Sequence, residues 1–296
     1  MLLLIYRRKN MDKVEAVLSV LKRIKPGGRT NLLVSTVLWC AELTKPRYKA
    51  AVKNMVAVFP NITEEHKKQM YRESLESLAW TGAEMFGWQN NPELINTWTV
   101  ETEGKHYIDE ALGQGHGVLF LTAHIGNWEH AAAWIGYNYG AWGIAQYNKS
   151  SFQKELIGRL RATSGLRILG TNEPMTRAAS ILKKNGLVGI VSDQHGGGDG
   201  ITVPLFGQYV STPQGLAVFS WLTKAAIIPG RSVRLAPYKF KMEFQPPIKW
   251  KKLATREETI YDITLKANRV IEKWVQETPE QWLWLHKRFK ETVNYE

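Results

Sequence analysis

The 296-residue chain is long enough to bury a sizeable core, in one large domain or two small ones, and 39 Lys and Arg against 27 Asp and Glu leave a formal net charge of +12. That balance calls for anionic partners: nucleic acid, a membrane of acidic lipids, a phosphorylated substrate or an acidic protein. Cys40 is the single cysteine, which excludes an internal disulfide and a cysteine-based zinc site and fits a reducing compartment.

At the N-terminus, Met1 to Ile5 precede Arg7, Arg8 and Lys9, the reverse of the charge order in a signal peptide and far too short an apolar run for a membrane span. Val14, Val17, Leu18, Leu21 and Ile24 recur at helical spacing until Pro26-Gly27-Gly28 ends the pattern. A second helix is predicted over 31–44. Ser35, Thr36 and Glu42 interrupt its apolar run, so no transmembrane helix is expected, and these first two helices suit a membrane surface. Pro46 opens a further segment with Ala51, Met55, Val56 and Val58 as its apolar positions. Thr63 followed by Glu64 and Glu65 reads as an N-cap with carboxylates complementing the helix dipole, and the helix continues through Tyr71, Leu75 and Leu78.

From about Val100 the period changes. Short apolar runs at 118–122, 143–146, 167–169, 187–191 and 226–229 alternate with helical stretches at 154–164 and 175–184, and a longer helix is predicted over 256–277. The expectation is a single domain over 1–296, with a helical part at 1–99 packed onto an α/β part at 100–296 that holds a mixed sheet and flanking helices. Twelve tryptophans and eleven tyrosines accompany the basic residues. Amphipathic rings of this kind suit the headgroup layer of a bilayer, and burial in the core competes as their explanation.

The most informative stretch runs from Leu119 to Glu129. An apolar strand ends at His124, Gly126 and Asn127 make a turn, Asn127 caps the helix that starts at Trp128, and Glu129 stands in its first turn. A core histidine is the bland alternative. A metal reading with His124, Glu129 and His130 is poor, because adjacent helical residues point apart and no third ligand is evident. No Ser or Cys stands in a strained elbow beside the histidine, so a covalent nucleophile is not indicated either. What is left is direct base catalysis: Glu129 would hold the imidazole tautomer with Nε2 free, His124 would take a hydroxyl proton, and the helix N-terminus near Asn127 with a nearby cation would stabilise an oxyanion.

The segment His124-Ile-Gly-Asn-Trp-Glu129 resembles the His-x4-Asp/Glu signature of glycerolipid-type acyltransferases, in the His-x-x-Asn-Trp-Glu form of the bacterial lipid A late acyltransferases, the lauroyl and myristoyl transferases. Other blocks resemble that family in the same order: Gly158-Arg159-Leu160-Arg161, Ile190 to Gln194, Val203 to Gly207, Ala225 to Pro229, and Pro279 to Trp284 with His286, Lys287 and Arg288. The resemblance implies a glycerolipid acyltransferase-like fold with His124 and Glu129 as catalytic residues. Asn127, Arg161, Arg159 and Asp193 become the candidates for substrate or oxyanion contact. It further implies acyl carrier protein as donor, a hydroxyl of a lipid A precursor as acceptor, anionic membrane lipids as surroundings, the cytoplasmic face of the inner membrane as location, and no metal or redox cofactor. Residues 196–200 read as a flap or a surface turn, and Pro229 and Trp282 as structural. Members typically begin with a long apolar anchor that this sequence does not display, so peripheral attachment is expected. Two alternatives stay open: transfer to another lipid, such as a phosphatidylinositol mannoside or an aminolipid, and a non-catalytic basic protein binding membranes or nucleic acid, for which no recognisable nucleic-acid motif is found.

Overall fold

The computed structural model describes residues 14, 15, 19, 27–145, 151–170 and 173–296, so the first predicted helix lies almost wholly outside the described residues, as does Gln146 at the end of one predicted strand. Seven strands form one sheet in the order β1-β9-β8-β2-β5-β3-β4. They are β1 (Thr99–Glu103), β2 (Val118–Thr122), β3 (Trp142–Ala145), β4 (Arg167–Gly170), β5 (Leu187–Val191), β8 (Ala226–Ala236) and β9 (Lys239–Phe244), and β6 (Ile201–Leu205) with β7 (Gln208–Thr212) makes a separate antiparallel hairpin. All neighbours in the large sheet are parallel apart from β8 and β9. The expected mixed sheet with flanking helices and a helical N-terminal part is what the chain builds.

Every residue of β2 is buried, as a continuous apolar run in a central parallel strand requires when both faces are covered. Its side chains alternate between two cores. Leu119 and Leu121 join the core built with the helices Gly215–Thr223 and Arg256–Glu277, whereas Val118 and Phe120 join one rich in tryptophan, with Trp88, Trp98 and Trp134. Most of the described tryptophans are thus core residues.

Several strands escaped the sequence reading. Thr99–Glu103 is an edge strand with a mostly exposed TVETE sequence and no apolar alternation. Lys239–Phe244, by contrast, does alternate, with Phe240, Met242 and Phe244 buried between Lys239, Lys241 and Glu243, and could have been found by its period of two. The predicted run at 226–229 is only the start of β8, which continues past Pro229 to pair with β9.

Buried polar contacts fasten the N-terminal helices to the sheet and to the C-terminal segment. Glu84, fully buried in the Glu64–Gly87 helix, accepts from Arg234 of β8 at 2.8 Å and from the Asn127 side chain at 2.8 Å. Removing one partner of such a pair typically costs about 3–5 kcal/mol, because the other charge is left uncompensated. Asn54, in the Tyr48–Val58 helix, donates to the carbonyls of Trp284 and His286 at 2.6 Å, and Ser74 donates to Trp282 O at 2.8 Å. The helical part therefore backs the C-terminal segment that runs behind the carboxyl ends of the strands. The Gly28–Thr44 helix packs Val34 against Trp80 and Ala83 and leaves Leu32, Trp39 and Leu43 more than 60% exposed, at 69%, 62% and 66%.

Candidate active site

The site begins where β2 stops. Gly126 turns the chain with φ of 60°, a conformation that favours glycine, and a Cβ there would run into the Ser232 carbonyl. Backbone bonds pin the turn: Gly126 N donates to Gln281 O at 3.0 Å and Asn127 N to Ser232 O at 2.9 Å. Asn127 then caps the Trp128–Tyr139 helix by accepting from His130 N at 2.8 Å.

β5 runs parallel to β2 in a register that sets Thr122 beside Val191. Two residues beyond each strand stand His124 and Asp193. The Nδ1–H of His124 donates to Asp193 Oδ1 at 2.8 Å, the His124 amide donates to Oδ2 at 3.0 Å, and the indole Nε1–H of Trp282 donates to Oδ2 at 2.8 Å. Burial opposes the charge on Asp193, but the imidazole, by its charge and its hydrogen bond, together with the Trp282 indole and the His124 amide, holds the carboxyl below its ordinary range. With Nδ1 committed to a carboxylate, Nε2 keeps its lone pair, and the part-exposed ring turns it toward the cavity, where Gln194 Nε2 approaches it at 3.4 Å. Trp128 packs edge-on against the imidazole at 5.2 Å.

This geometry corrects the expected dyad. The partner of His124 Nδ1 is Asp193, not Glu129. The turn and the first helical residues carry Glu129 to a two-pronged contact with Arg161, at 2.7 Å to Nη2 and 3.0 Å to Nε. Asn127 is also reassigned: it is fully buried and its side chain is spent on His130 N and Glu84, so it offers nothing to a substrate. Arg159 and Arg161 are roughly 200° apart on the Ser151–Ala162 helix, so they point in different directions. Arg161 lines the cavity, while Arg159 pairs with Glu155 and Glu15. His130 lies in the core, stacked on Phe240 with Nδ1 bonded to Ser232 and Nε2 to Ile95 O, and its burial, the largest influence, keeps it neutral with a pKa of about 3.

A cavity of about 860 Å³ opens over the carboxyl ends of β2, β5, β3 and β4, the usual ligand position in such sheets. Its polar lining includes His124, Glu129, Arg161, Glu173, Gln194, His195 and Asp199, and its apolar walls include Phe120, Ile135, Ile144 and Ile168. Its floor owes its depth to a row across the sheet in which Phe120 pairs with Gly189, Gly189 with Gly143, and Gly143 with Ile168. A Cβ at Gly189 would lie 3.2 Å from Ile135 Cδ1, and one at Gly143 would lie 3.5 Å from Ile168 Cδ1, so two missing side chains on adjacent strands leave a trough. Gly196 and Asp199 border the same cavity, and their segment is tied to β7: Gly196 N donates to Ser211 O at 3.1 Å and Ser211 Oγ to Gly197 O at 2.8 Å.

Sequence reasoning placed Trp282 among structural residues and left Gln194 without a role. Both touch the His124–Asp193 pair. The compact Pro279-to-Arg288 signature held the available signal for Trp282, since a buried indole needs an acceptor and a strand-end carboxylate needs a donor.

The profile of the bacterial lipid A biosynthesis acyltransferase family matches residues 15–291. The chain is 26% identical to the lipid A biosynthesis palmitoleoyltransferase of Escherichia coli strain K12 over 250 residues, covering 83% of this chain and 79% of the relative. It is 27% identical to the lipid A biosynthesis lauroyltransferase of the same organism over 252 residues, covering 83% and 80% respectively. A shorter similarity, 26% over 131 residues and covering 43% of this chain and 42% of the relative, links it to a phosphatidylinositol mannoside acyltransferase of Mycobacterium tuberculosis.

Replacing Trp282 by Phe removes the indole donor to Asp193 while keeping an aromatic ring. The variant should lose about 1.5–3 kcal/mol of stability, the range for a hydrogen bond to a charged group. The Asp193 carboxyl, followed by NMR titration, should move up toward its ordinary range, and an unchanged titration would remove the indole from the account.

Proposed function

The chain belongs to the family of bacterial lipid A biosynthesis acyltransferases, and on that premise we propose that it moves a fatty acyl chain from the thioester of acyl carrier protein to a hydroxyl of a lipid A precursor, with His124 as the general base. The observation that carries this reading is the His124–Asp193 contact, which leaves Nε2 with a lone pair at a cavity lined by both polar and apolar side chains. In the proposed reaction Nε2 takes the proton of the acceptor hydroxyl as its oxygen bonds to the thioester carbonyl carbon. The tetrahedral oxyanion then collapses, the carbon–sulfur bond breaks, and the departing thiolate takes the proton back from the imidazolium. Asp193 fixes the tautomer and balances the transient charge.

Glu129 acts through Arg161 in this scheme. Its two-pronged contact fixes the guanidinium at the cavity wall, where a cation stabilises the oxyanion or an acceptor phosphate. The acyl chain occupies the trough above Gly143 and Gly189, and the cavity falls within the roughly 300–1,000 Å³ of ordinary ligand pockets. Acyl carrier protein and a phosphorylated acceptor are both acidic, which agrees with a chain of formal net charge +12.

We place the protein at the cytoplasmic face of the inner membrane, on the surface. Among the described residues no helix is long and apolar enough to cross a membrane. The exposed Leu32, Trp39 and Leu43 of the Gly28–Thr44 helix form an apolar stripe suited to the acyl boundary of a bilayer.

The decisive assay is transfer from labelled lauroyl-acyl carrier protein to a lipid A precursor, run in parallel with a phosphatidylinositol mannoside as acceptor. His124→Ala should lose about 10²–10⁴-fold, and Arg161→Met about 10²–10³-fold, with melting temperatures close to the parent; near-parental transfer by His124→Ala would end the base assignment. Preference for the mannoside would replace the acceptor and leave the mechanism standing. Gly189→Val fills the trough, so it should reduce transfer of long acyl chains more than short ones; an equal loss across chain lengths would move the chain elsewhere. In sedimentation with phosphatidylglycerol vesicles, the triple change of Leu32, Trp39 and Leu43 to Ser should release the protein, and undiminished binding would exclude this helix as the contact.

A further inference from the structure

The chain that leaves β5 is pinned almost residue by residue. Ser192 N donates to Thr122 O at 3.1 Å, the Asp193 carboxylate accepts from three donors, and Gly196 N donates to Ser211 O at 3.1 Å. His195 N donates at 3.1 Å to Nε2 of His286, on the C-terminal strip that also carries Trp282. The His195 ring is engaged too, between Glu291 Oε1 at 2.6 Å and Gly197 N at 3.0 Å. Gln194 is the exception. Its backbone is fixed from both sides, yet its part-buried side chain borders the cavity with a single hydrogen bond among the described residues, the approach of its Nε2 to His124 Nε2 at 3.4 Å.

The imidazole tautomer decides which end of that amide faces it. Because the Nδ1–H of His124 is given to Asp193, Nε2 presents a lone pair, and the carbonyl oxygen of Gln194 would set a second lone pair against it. The N–H therefore points at the base. It stands where the acceptor hydroxyl has to stand, since that oxygen must come within about 2.6–3.2 Å of Nε2 to hand over its proton. At 3.4 Å the contact is long, and an arriving hydroxyl displaces it at small cost.

We propose that Gln194 is a catalytic residue of the transfer: its amide caps the base in the free protein, gives way to the acceptor hydroxyl, and then donates an N–H to the oxyanion formed on the thioester carbonyl. The inference rests on the reading of His124 as the base. The attacking oxygen bonds to the carbonyl carbon, which leaves the carbonyl oxygen two bonds from it. A donor bordering the acceptor position thus reaches the atom on which negative charge develops. Donation to the attacking oxygen would draw on the electron pair that must form the new bond, so the oxyanion is the productive acceptor. No proton or electron pair passes through the amide. Arg161 serves the same charge in another way: its Nε and Nη2 are turned to Glu129 and it acts as a fixed cation at the cavity wall, whereas Gln194 supplies a neutral donor beside the base itself.

Gln194→Met keeps the length of the side chain and removes the amide, and Gln194→Glu keeps its shape but, when ionised, has no N–H to give. With lauroyl-acyl carrier protein and the acceptor that the parent protein uses, each variant should lower kcat by about 10²–10³-fold and leave both KM values close to the parent. A donor that acts only on the transition state does not contribute to ground-state binding. Affinity for a dodecyl-acyl carrier protein with a thioether in place of the thioester, which has no carbonyl, should accordingly be unchanged, as should the melting temperature. In the free protein the ¹⁵N resonance of His124 Nε2 should move in both variants, a readout that needs no substrate.

Near-parental kcat in either folded variant overturns the proposal. So does a loss carried by the acceptor KM with kcat retained, which would make Gln194 an acceptor-binding residue, or a loss of thioether binding as large as the loss of activity, which would reduce it to a shape-keeping one. An unmoved ¹⁵N resonance removes the cap. Transfer surviving in His124→Ala ends the base reading and this inference together, whereas transfer lost there and kept in Gln194→Met ends this inference alone.

Discussion

A single parallel pairing decides the chemistry available to this protein. Because β2 and β5 are neighbours with Thr122 opposite Val191, the residues two beyond each strand meet, and a histidine finds a buried carboxylate at 2.8 Å. Neither strand can shift by one residue without turning its side chains to the opposite face and its apolar residues out of the cores that receive them. Packing of the sheet thus enforces the geometry of the pair. The same pairing opens the cavity, since Gly189 of β5 and Gly143 of β3 fall in one row beside Phe120.

Around that pair the protein invests in buried polar contacts. Asp193 takes two donors from His124 and one from Trp282, the turn after His124 is held by Gln281 and Ser232, and Asn127 is locked between the helix it caps and the Glu84–Arg234 ion pair. Such a network is expensive to assemble and rigid once satisfied, which holds the imidazole in one tautomer and one direction. The N-terminal helices take part at one remove. Asn54 and Ser74 secure the C-terminal strip, and the strip secures His124 and Asp193. Rearrangement of the helical part would accordingly be felt at the site without touching it.

Much of this was legible in the residues. The boundaries of β2, of β5 and of the Arg256–Glu277 helix follow from apolar periodicity, and the caps at Thr63 and Asn127 are where the side chains indicate. Local signals of this kind reflect interactions between residues close in sequence, so they survive without a fold. The edge strand Thr99–Glu103 carries no such signal, because its hydrogen bonds come from β9, well over a hundred residues away. Glu129 shows the limit more sharply. It stands near His124 in sequence and was the natural partner on that ground, yet Asp193, 69 residues further along, holds the imidazole.

By itself the sequence determined the strand that ends in His124, the capped helix behind it, the class of chemistry the histidine can support and the family to which the blocks belong. These are set by side-chain type and short-range spacing. Only the tertiary structure decided which carboxylate orients the imidazole, that Glu129 pairs with Arg161, that Arg159 faces away, and that Trp282 reaches the site from the C-terminal strip. Those choices depend on strand order and register, which are fixed by the summed burial of two cores and cannot be read from any one segment.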